Sequence, residues 1–210
     1  KEKKKLAEAR GESFIWIGVK GEIVGMITVS DLPRSESQTV LSRLRNLGVR
    51  KMLVLSGDSH AATQKISAQV GADEFQAGLL PEEKLQVLQS IKQNSGKIGM
   101  VGDGVNDAPA LAAADVGIAM GGAGSDVALE AADVALMAAN LEKLPFAVGL
   151  GKATRKIIIQ NLLIAMTVII LLAAAALSGL AGIGPVVLFH EGSTLLVVFN
   201  AMRLLKFSSI

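Results

Sequence analysis

The chain has 210 residues, 50% of them hydrophobic, and a formal net charge of +2. So small a net charge gives no sign of nucleic-acid binding, and we expect no nucleic acid among its partners. The sequence contains no cysteine, which excludes disulfides and thiolate metal sites within these residues.

Charged residues are distributed unevenly along the chain. None occurs from Ile157 to Phe189, whereas the first 156 residues carry nearly all of the charge. This contrast predicts a soluble domain of about 150 residues, large enough to bury a core, followed by a membrane part.

The first predicted elements are two strands, residues 13–19 and 22–29. They are separated by Lys20-Gly21, and a two-residue link ending in Gly is typical of a β-hairpin. After the hairpin, Ser35 or Ser37 is placed to cap a helix.

The next region alternates between short apolar runs and helical segments. Gly48 and Gly71 are expected to end helices, and Pro81 to begin one. Strands are predicted at 51–55, 97–101, 115–119 and 133–136, and helices from the serine cap to 47, at 61–70, from 81 onward and between 119 and 133. This alternation predicts a parallel, doubly wound α/β sheet, whose sites lie at the carboxyl ends of the strands. The loops 56–58 and 102–107 fall at such ends.

Two apolar stretches follow, at 157–177 and 186–205, each long enough to span a bilayer. A small, Gly-rich turn without charge, 178–185, separates them. Basic residues flank the outer ends of both stretches, at Lys152, Arg155, Lys156, Arg203 and Lys206. The positive-inside rule then predicts a membrane hairpin whose outer ends, with the soluble part, lie in the cytoplasm. We expect a multi-pass protein of the cell membrane, in contact with the lipid bilayer.

The string from Gly102 to Leu111, GDGVNDAPAL, carries the strongest chemical signal. It places Asp103 and Asp107 four residues apart on a Gly-rich turn after a strand. Carboxylates suit Mg²⁺, and a glycine such as Gly104 lets the backbone approach a ligand closely. On spacing alone, an acidic turn with an Asp helix cap explains the string equally well.

The full string resembles the hinge motif of P-type ATPases, which belong to the haloacid dehalogenase superfamily. Three other segments match that family in the same order. Leu55-Ser56-Gly57-Asp58 resembles its Thr-Gly-Asp motif with Ser for Thr, Leu80-Pro81-Glu82-Glu83-Lys84 resembles its lysine motif, and 25–31 resembles the return strand from the nucleotide-binding domain.

The resemblance implies a haloacid dehalogenase-like sheet followed by a transmembrane helical hairpin. It assigns 1–30 to the end of the nucleotide-binding domain and the return strands. Residues 31–145 become the C-terminal part of the phosphorylation domain, and 146–210 the last two transmembrane helices. The family's phosphorylated aspartate, in Asp-Lys-Thr-Gly-Thr, does not occur in the sequence. We therefore expect the C-terminal portion of a pump, which is inactive without its N-terminal part and has most of the ATP site elsewhere.

The resemblance also implies residue roles. Asp103 would coordinate Mg²⁺, with Asp107 and Gly104 also in the magnesium site, and Asp107 and Asn106 would organise the surroundings of the metal and the phosphate. Lys84 would contact the phosphoryl group, whose oxygens carry spread charge during transfer. The loop Ser56-Gly57-Asp58 would offer a hydroxyl and a backbone N–H to the phosphate.

A second polar group occurs inside the last apolar stretch, where ionisable side chains are costly and mark functional sites. His190 and Thr194 share a helix face and Glu191 is adjacent to it, a set that suits a divalent metal such as zinc, cobalt or cadmium. The alternative is a polar pair at a helix interface or near the wetted surface. Gln160 and Asn161, in the first stretch, are more typical of helix packing than of ligands.

The string His-Glu-Gly-Ser-Thr, followed by Leu-Leu-Val-Val and later Asn and Arg-Leu, resembles the cobalt/zinc-type subgroup of heavy-metal (type IB) P-type ATPases. The chain is thus predicted to be part of an ATP-driven translocase for a divalent metal ion. The rival interpretations are a membrane-anchored module that binds Mg²⁺ and phosphate without transport, or a phosphatase of the same superfamily. Neither explains an ionisable pair within a membrane span.

Overall fold

The computed structural model describes residues 12–29, 31–102, 105–121, 130–137 and 140–208. It divides into two compact units, Lys1–Leu144 and Pro145–Ile210. The predicted division of the first unit, at residue 30, is not tested by this boundary and stays a prediction.

The first unit opens with the predicted hairpin. Strands β1 (Ser13–Val19) and β2 (Glu22–Val29) pair in antiparallel register, with an irregularity between Ile17 and Gly18. Both linking residues have positive φ, 51° at Lys20 and 86° at Gly21. A type I′ turn requires this conformation at both central residues, and Gly adopts it without steric cost. The hairpin prediction is therefore confirmed, with the expected bounds.

Helices of the first unit begin and end close to the predicted positions. Gly48 and Gly71 follow two of them with φ of 85° and 75°, the left-handed conformation that stops a helix, and Pro81 opens a third. The helices described are α1 (Ser37–Asn46), α2 (His60–Val70), α3 (Pro81–Ser95) and α4 (Ala108–Ala113). The first three match predicted helices, whereas α4 was not predicted. The expected serine cap of α1 is wrong, because Glu36 precedes the helix without a side-chain cap and Ser37 is buried within it.

The strands of the α/β part are short and pair in parallel. They are β3 (Leu53–Leu55), β4 (Glu74–Gln76), β5 (Gly99–Gly102), β6 (Val116–Met120) and β7 (Val134–Leu136), arranged as β3-β4 and β5-β6-β7. Strand β4 was not predicted, because Glu-Phe-Gln is short and contains a single apolar residue. Its Glu74 and Gln76 side chains are exposed. The helix expected between 119 and 133 falls mainly on 122–129, outside the described residues.

The core lies where α4 packs against the β5-β6-β7 sheet. Leu111 and Ala119 are buried, and Met100 and Ala132 pack against them. Gly117 makes this contact possible, because a Cβ there would lie 2.5 Å from the Leu111 carbonyl oxygen. The close approach of helix to strand thus requires glycine at this position.

Aspartates precede three of the strands and bind the backbone at the amino ends of their neighbours. Asp73 accepts from the Met52 N–H at 2.7 Å, Asp115 from the Ile98 N–H at 3.0 Å, and Asp133 from the Gly117 N–H at 2.9 Å. These carboxylates therefore join adjacent strands at their amino ends, opposite the carboxyl ends where the candidate site lies.

Two of these aspartates have lowered pKa values. The hydrogen bond from Lys97, at 2.9 Å, followed by that from Ile98, lowers the pKa of Asp115 to about 2. The Met52 N–H and then the Arg45 guanidinium lower the pKa of Asp73. Both shifts indicate that folding stabilises the ionised form.

The second unit consists of α5, which the structure gives as Lys143–Leu177, and α6 (Ile183–Met202), followed by a 3₁₀ turn at Arg203–Lys206. Both helices are long and apolar enough to cross a membrane. The turn between them is shorter than predicted, since α6 begins at Ile183. Gly179 has a φ of 73°, and the Ser178 hydroxyl donates to the Ala174 carbonyl at 2.8 Å, which ends α5.

Candidate functional site

The loop after β3 is fixed to the segment that leads into α3. The Ser56 N–H donates to the Gln76 carbonyl and the Leu79 N–H to the Ser56 carbonyl, both at 3.0 Å. The Gly78 N–H donates to the Asp58 carbonyl at 2.8 Å. Since Lys84 lies in the first turn of α3, these bonds hold the loop 56–58 beside the segment that leads into the lysine-bearing helix.

The start of α3 is set by its local sequence. Pro81 is preorganised for the first helical position, and the Glu83 carboxylate accepts from the Leu80 N–H at 2.8 Å. Glu82 and Glu83 lie in the first turn, where the helix dipole favours negative charge. The Lys84 N–H then donates to the Leu80 carbonyl at 3.0 Å, so the residue is held in regular helix.

Lys84 and Asp107 form an ion pair that joins two motifs distant in sequence. The Lys84 Nζ lies 2.8 Å from Asp107 Oδ1, and each side chain is only 16% exposed. Lysines are rarely buried unless paired, so this placement distinguishes Lys84 from an ordinary surface lysine. Asp107 occupies the position before α4, but its side chain makes no capping hydrogen bond. Its carboxylate is used for Lys84 instead, which answers the alternative of a simple helix cap.

Gly102, the last residue of β5, provides the space for Asp107. A Cβ at Gly102 would lie 2.7 Å from the Asp107 Cβ and 3.0 Å from its Oδ2. Real Cβ atoms do not tolerate the first of these separations, so any larger residue would displace the aspartate. The 3₁₀ turn Val105–Asp107 brings the carboxylate back over the strand end, whereas Asn106 in the same turn is exposed.

The Ser56 hydroxyl is bound to its own loop. It donates to Asp58 Oδ2 at 2.7 Å and accepts from the Asp58 N–H at 3.1 Å. Gly57 and Asp58 are exposed, while Ser56 is half-buried. The hydroxyl would have to leave the Asp58 carboxylate to donate to a phosphate, although its oxygen keeps a free acceptor position.

Not all of the predicted site lies within the described residues. Asp103 and Gly104 fall outside them, so the predicted magnesium position stays a prediction. In the part of the chain that the structure describes, no group of three or more His, Asp or Glu side chains forms a metal cluster. Mg²⁺ needs only one or two carboxylates beside water and phosphate oxygens, so Asp107 together with Asp103 is a chemically suitable donor set.

The predicted ion-binding residues of the second unit lie together on α6. His190, Glu191 and Thr194 are all exposed within their unit. The His190 carbonyl accepts from the Ser193 hydroxyl at 2.7 Å and from the Thr194 hydroxyl at 3.5 Å, so both hydroxyls bond back to their own helix. The imidazole and the carboxylate remain on the exposed surface of the unit.

A polar contact between α5 and α6 was missed by the sequence reasoning. Asn200 donates to Asn161 Oδ1 at 2.8 Å and to Gln160 Oε1 at 3.3 Å. Gln160 and Asn161 were expected to serve helix packing, but their partner was not identified. An amide in an otherwise apolar span was the available signal, since such groups need a hydrogen-bond partner in lipid.

Comparison with known proteins shows one family match and similarity to transport ATPases. The haloacid dehalogenase-like hydrolase family matches residues 1–115. A probable cadmium-transporting ATPase of Listeria monocytogenes is 43% identical over 199 residues, covering 95% of this chain and 28% of that protein. A zinc-transporting ATPase of Synechocystis sp. is 40% identical over 196 residues, covering 92% and 27%.

A solved structure confirms the predicted fold. The crystal structure of a zinc-transporting PIB-type ATPase in the E2.Pi state matches with a TM-score of 0.86 at 39% identity. The match covers 97% of this chain and 33% of that chain. The chain therefore spans between a quarter and a third of the length of these relatives. The resemblance to heavy-metal P-type ATPases is confirmed by these matches.

Proposed function

The chain belongs to the haloacid dehalogenase-like hydrolase family, and on that premise we propose that it is the C-terminal portion of an ATP-driven pump for divalent heavy-metal ions. The observation that carries this proposal is the half-buried ion pair between Lys84 and Asp107. It unites the lysine motif and the hinge motif at one edge of the sheet, as phosphoryl-transfer chemistry requires. The relatives, which are named as cadmium- and zinc-transporting ATPases, support the same reading.

In this pump, Lys84 would bind the phosphoryl oxygens of an aspartate supplied by the remaining N-terminal part. Asp107 holds the ammonium in place, because their contact at 2.8 Å fixes the long lysine side chain before phosphate arrives. The Gly57 N–H and the Ser56 hydroxyl would bind further phosphate oxygens once the hydroxyl leaves Asp58. Together these groups stabilise the charge that spreads over the phosphoryl group in the transition state.

Asp103 and Asp107 would hold Mg²⁺, with Asn106 and the Gly104 backbone beside it. The metal would neutralise phosphate charge during transfer and hydrolysis. ATP would be the phosphoryl donor, bound mostly by the nucleotide-binding domain, of which residues 1–30 would form the end. This division assigns 31–145 to the phosphorylation domain and 146–210 to the membrane.

The transported ion would bind at His190, Glu191 and Thr194. Their exposure within the second unit leaves them accessible to the other membrane helices of the pump, which would complete the coordination. Imidazole and carboxylate together suit zinc, cobalt or cadmium. The motif favours the cobalt/zinc-type subgroup. The pump would be a multi-pass protein of the cell membrane, surrounded by lipid, with its soluble part in the cytoplasm.

Lys84→Met in the full-length pump tests the phosphoryl-transfer role. Loss of one charge-stabilising donor is expected to slow phosphoenzyme formation from ATP by about 100- to 1,000-fold. The control is Lys51→Met, which removes an exposed pair with Glu74 at 2.7 Å and should leave the rate unchanged. Equal rates for Lys84→Met and the wild type would refute this role.

His190→Ala and Glu191→Ala test the ion site. Each should abolish metal-stimulated ATP hydrolysis but leave phosphoenzyme formation from inorganic phosphate intact, because that back reaction needs no transported ion. The isolated chain should form no phosphoenzyme from labelled ATP. Release of phosphate from small phosphate esters by the isolated chain would support the phosphatase alternative instead.

A further inference from the structure

Four polar side chains connect the helices of the second unit at the end where their basic flanking residues lie. Asn200 of α6 donates to Asn161 Oδ1 at 2.8 Å and to Gln160 Oε1 at 3.3 Å on α5. Arg203 donates to Asn200 Oδ1 at 2.9 Å and to Gln160 Oε1 at 3.5 Å. Both N–H groups and the oxygen of the Asn200 amide thus have hydrogen-bond partners. We call Gln160, Asn161, Asn200 and Arg203 the amide cluster.

The surroundings of the amide cluster are mainly apolar. Half-buried side chains recur every seven residues on α6 and the following turn, at Val186, Ser193 and Asn200 and at Val197 and Leu204. Apolar contacts between helices in lipid have no hydrophobic driving force and tolerate sliding and rotation. A single Asn at such a heptad position is able to set the register of a helix pair, because any shift leaves its amide unsatisfied.

The register of α6 decides where its ionisable residues point. His190, Glu191 and Thr194 are exposed, whereas Asn200 is half-buried against α5. In an α-helix each residue turns by about 100°, so a slip of one residue would rotate the His190 side chain by about that angle. Such a rotation would remove the imidazole from any coordination sphere formed with other helices.

We propose that the amide cluster fixes the rotation and register of α6 against α5, and thereby aims His190, Glu191 and Thr194 at the transported ion. This inference rests on the proposed function, since it takes those three residues as the ion-binding face. Asn200 is a positioning residue. It lies ten residues from His190, which is about 15 Å along the helix, and does not touch the ion.

The test uses Asn200→Leu in the full-length pump, reconstituted in lipid vesicles. The zinc concentration for half-maximal stimulation of ATP hydrolysis should rise by about 3- to 20-fold, which corresponds to the loss of one interhelical hydrogen bond in a membrane. Phosphoenzyme formation from inorganic phosphate, measured without zinc, should stay at the wild-type level. Asn161→Leu should give a smaller shift, because the bond from Asn200 to Gln160 remains. The double variant should shift no further than Asn200→Leu, because Asn200→Leu already removes the contact with Asn161.

Two further variants separate register from packing. Val197→Leu places a leucine on the same face one turn away and should leave the zinc response unchanged. Asn200→Gln keeps the amide and should fall between the wild type and Asn200→Leu. An unchanged zinc response in Asn200→Leu would overturn the inference, as would additive shifts in the double variant or an equal loss of phosphoenzyme formed from phosphate. If His190→Ala keeps full zinc stimulation, the proposed function itself fails, so the two failures are distinguishable.

Discussion

Gly102→Ala is the sharpest test of how the phosphate site is built. The added methyl group would lie 2.7 Å from the Asp107 Cβ and 3.1 Å from its Cγ, in a position that is buried. Overpacking of this kind costs about 1 to 3 kcal/mol. The contact is with the aspartate itself, so relief by movement of Asp107 would also lengthen its 2.8 Å contact with Lys84.

If that energy is expressed as displacement of the Lys84–Asp107 pair, phosphoenzyme formation should slow by about 5- to 150-fold. The assay is the rate of phosphorylation of the full-length pump by labelled ATP at saturating zinc. Gly99→Ala is the matched control, since it adds the same methyl group to the same strand. Its Cβ would meet only the Val116 carbonyl oxygen, at 3.8 Å, which is an ordinary contact.

A Gly102→Ala variant that phosphorylates at the rate of Gly99→Ala would refute the reasoning. It would mean that Asp107 moves without consequence, or that its contact with Lys84 does not position the ammonium. A parallel measurement of thermal unfolding separates the two effects. A variant with a wild-type unfolding midpoint and slow phosphorylation would locate the damage in the site and not in the fold.

Two other predictions concern Asp115 and Ser56. Asp115→Asn should lower the stability of the folded protein at neutral pH. The difference in stability from the wild type should shrink as the pH falls from about 4, where the carboxylate of the unfolded chain begins to protonate. It should continue to shrink towards pH 2, because the pKa of Asp115 in the folded protein is about 2. Acid unfolding followed by circular dichroism measures this, and a difference that stays constant down to pH 2 would contradict it. Ser56→Thr, which restores the residue typical of the motif, keeps the hydroxyl and should change turnover by no more than about twofold. A tenfold change in metal-stimulated ATP hydrolysis would show that the loop does not tolerate the extra methyl group.

Local sequence predicted the elements whose conformation is set by a few neighbouring residues. The hairpin depended on Lys20-Gly21, and the helix ends on Gly48 and Gly71, all of which adopt positive φ. Strand β4 escaped prediction because its three residues include a single apolar side chain, which is too few to show an alternating pattern. Its pairing with β3 is supported by long-range contacts, among them the bond from the Met52 N–H to Asp73.

In the candidate site, too, the features set by long-range contacts could not be predicted from local sequence. Nothing in the residues near Lys84 predicts that its side chain is half-buried, because the partner that neutralises it lies 23 positions away. Only the resemblance of both motifs to one family placed them together. The amide cluster escaped for the same reason, since Asn161 and Asn200 are 39 positions apart and each alone has the appearance of a packing residue.

Aspartates at the two ends of the parallel strands have opposite roles. At the amino ends of the strands, Asp73 and Asp115 bind backbone N–H groups and basic side chains at once, so their ionised forms are stabilised by the fold. At the carboxyl end of β5, the described part of the chain gives Asp107 one basic partner, Lys84, and no capping bond to α4. A carboxylate held by fixed backbone donors and a basic side chain has fewer acceptor positions left and little freedom to move, whereas one held by a flexible lysine is able to share that lysine with an incoming phosphate. The position of an aspartate relative to the strand, and not its residue type, therefore decides whether it stabilises the fold or serves the chemistry.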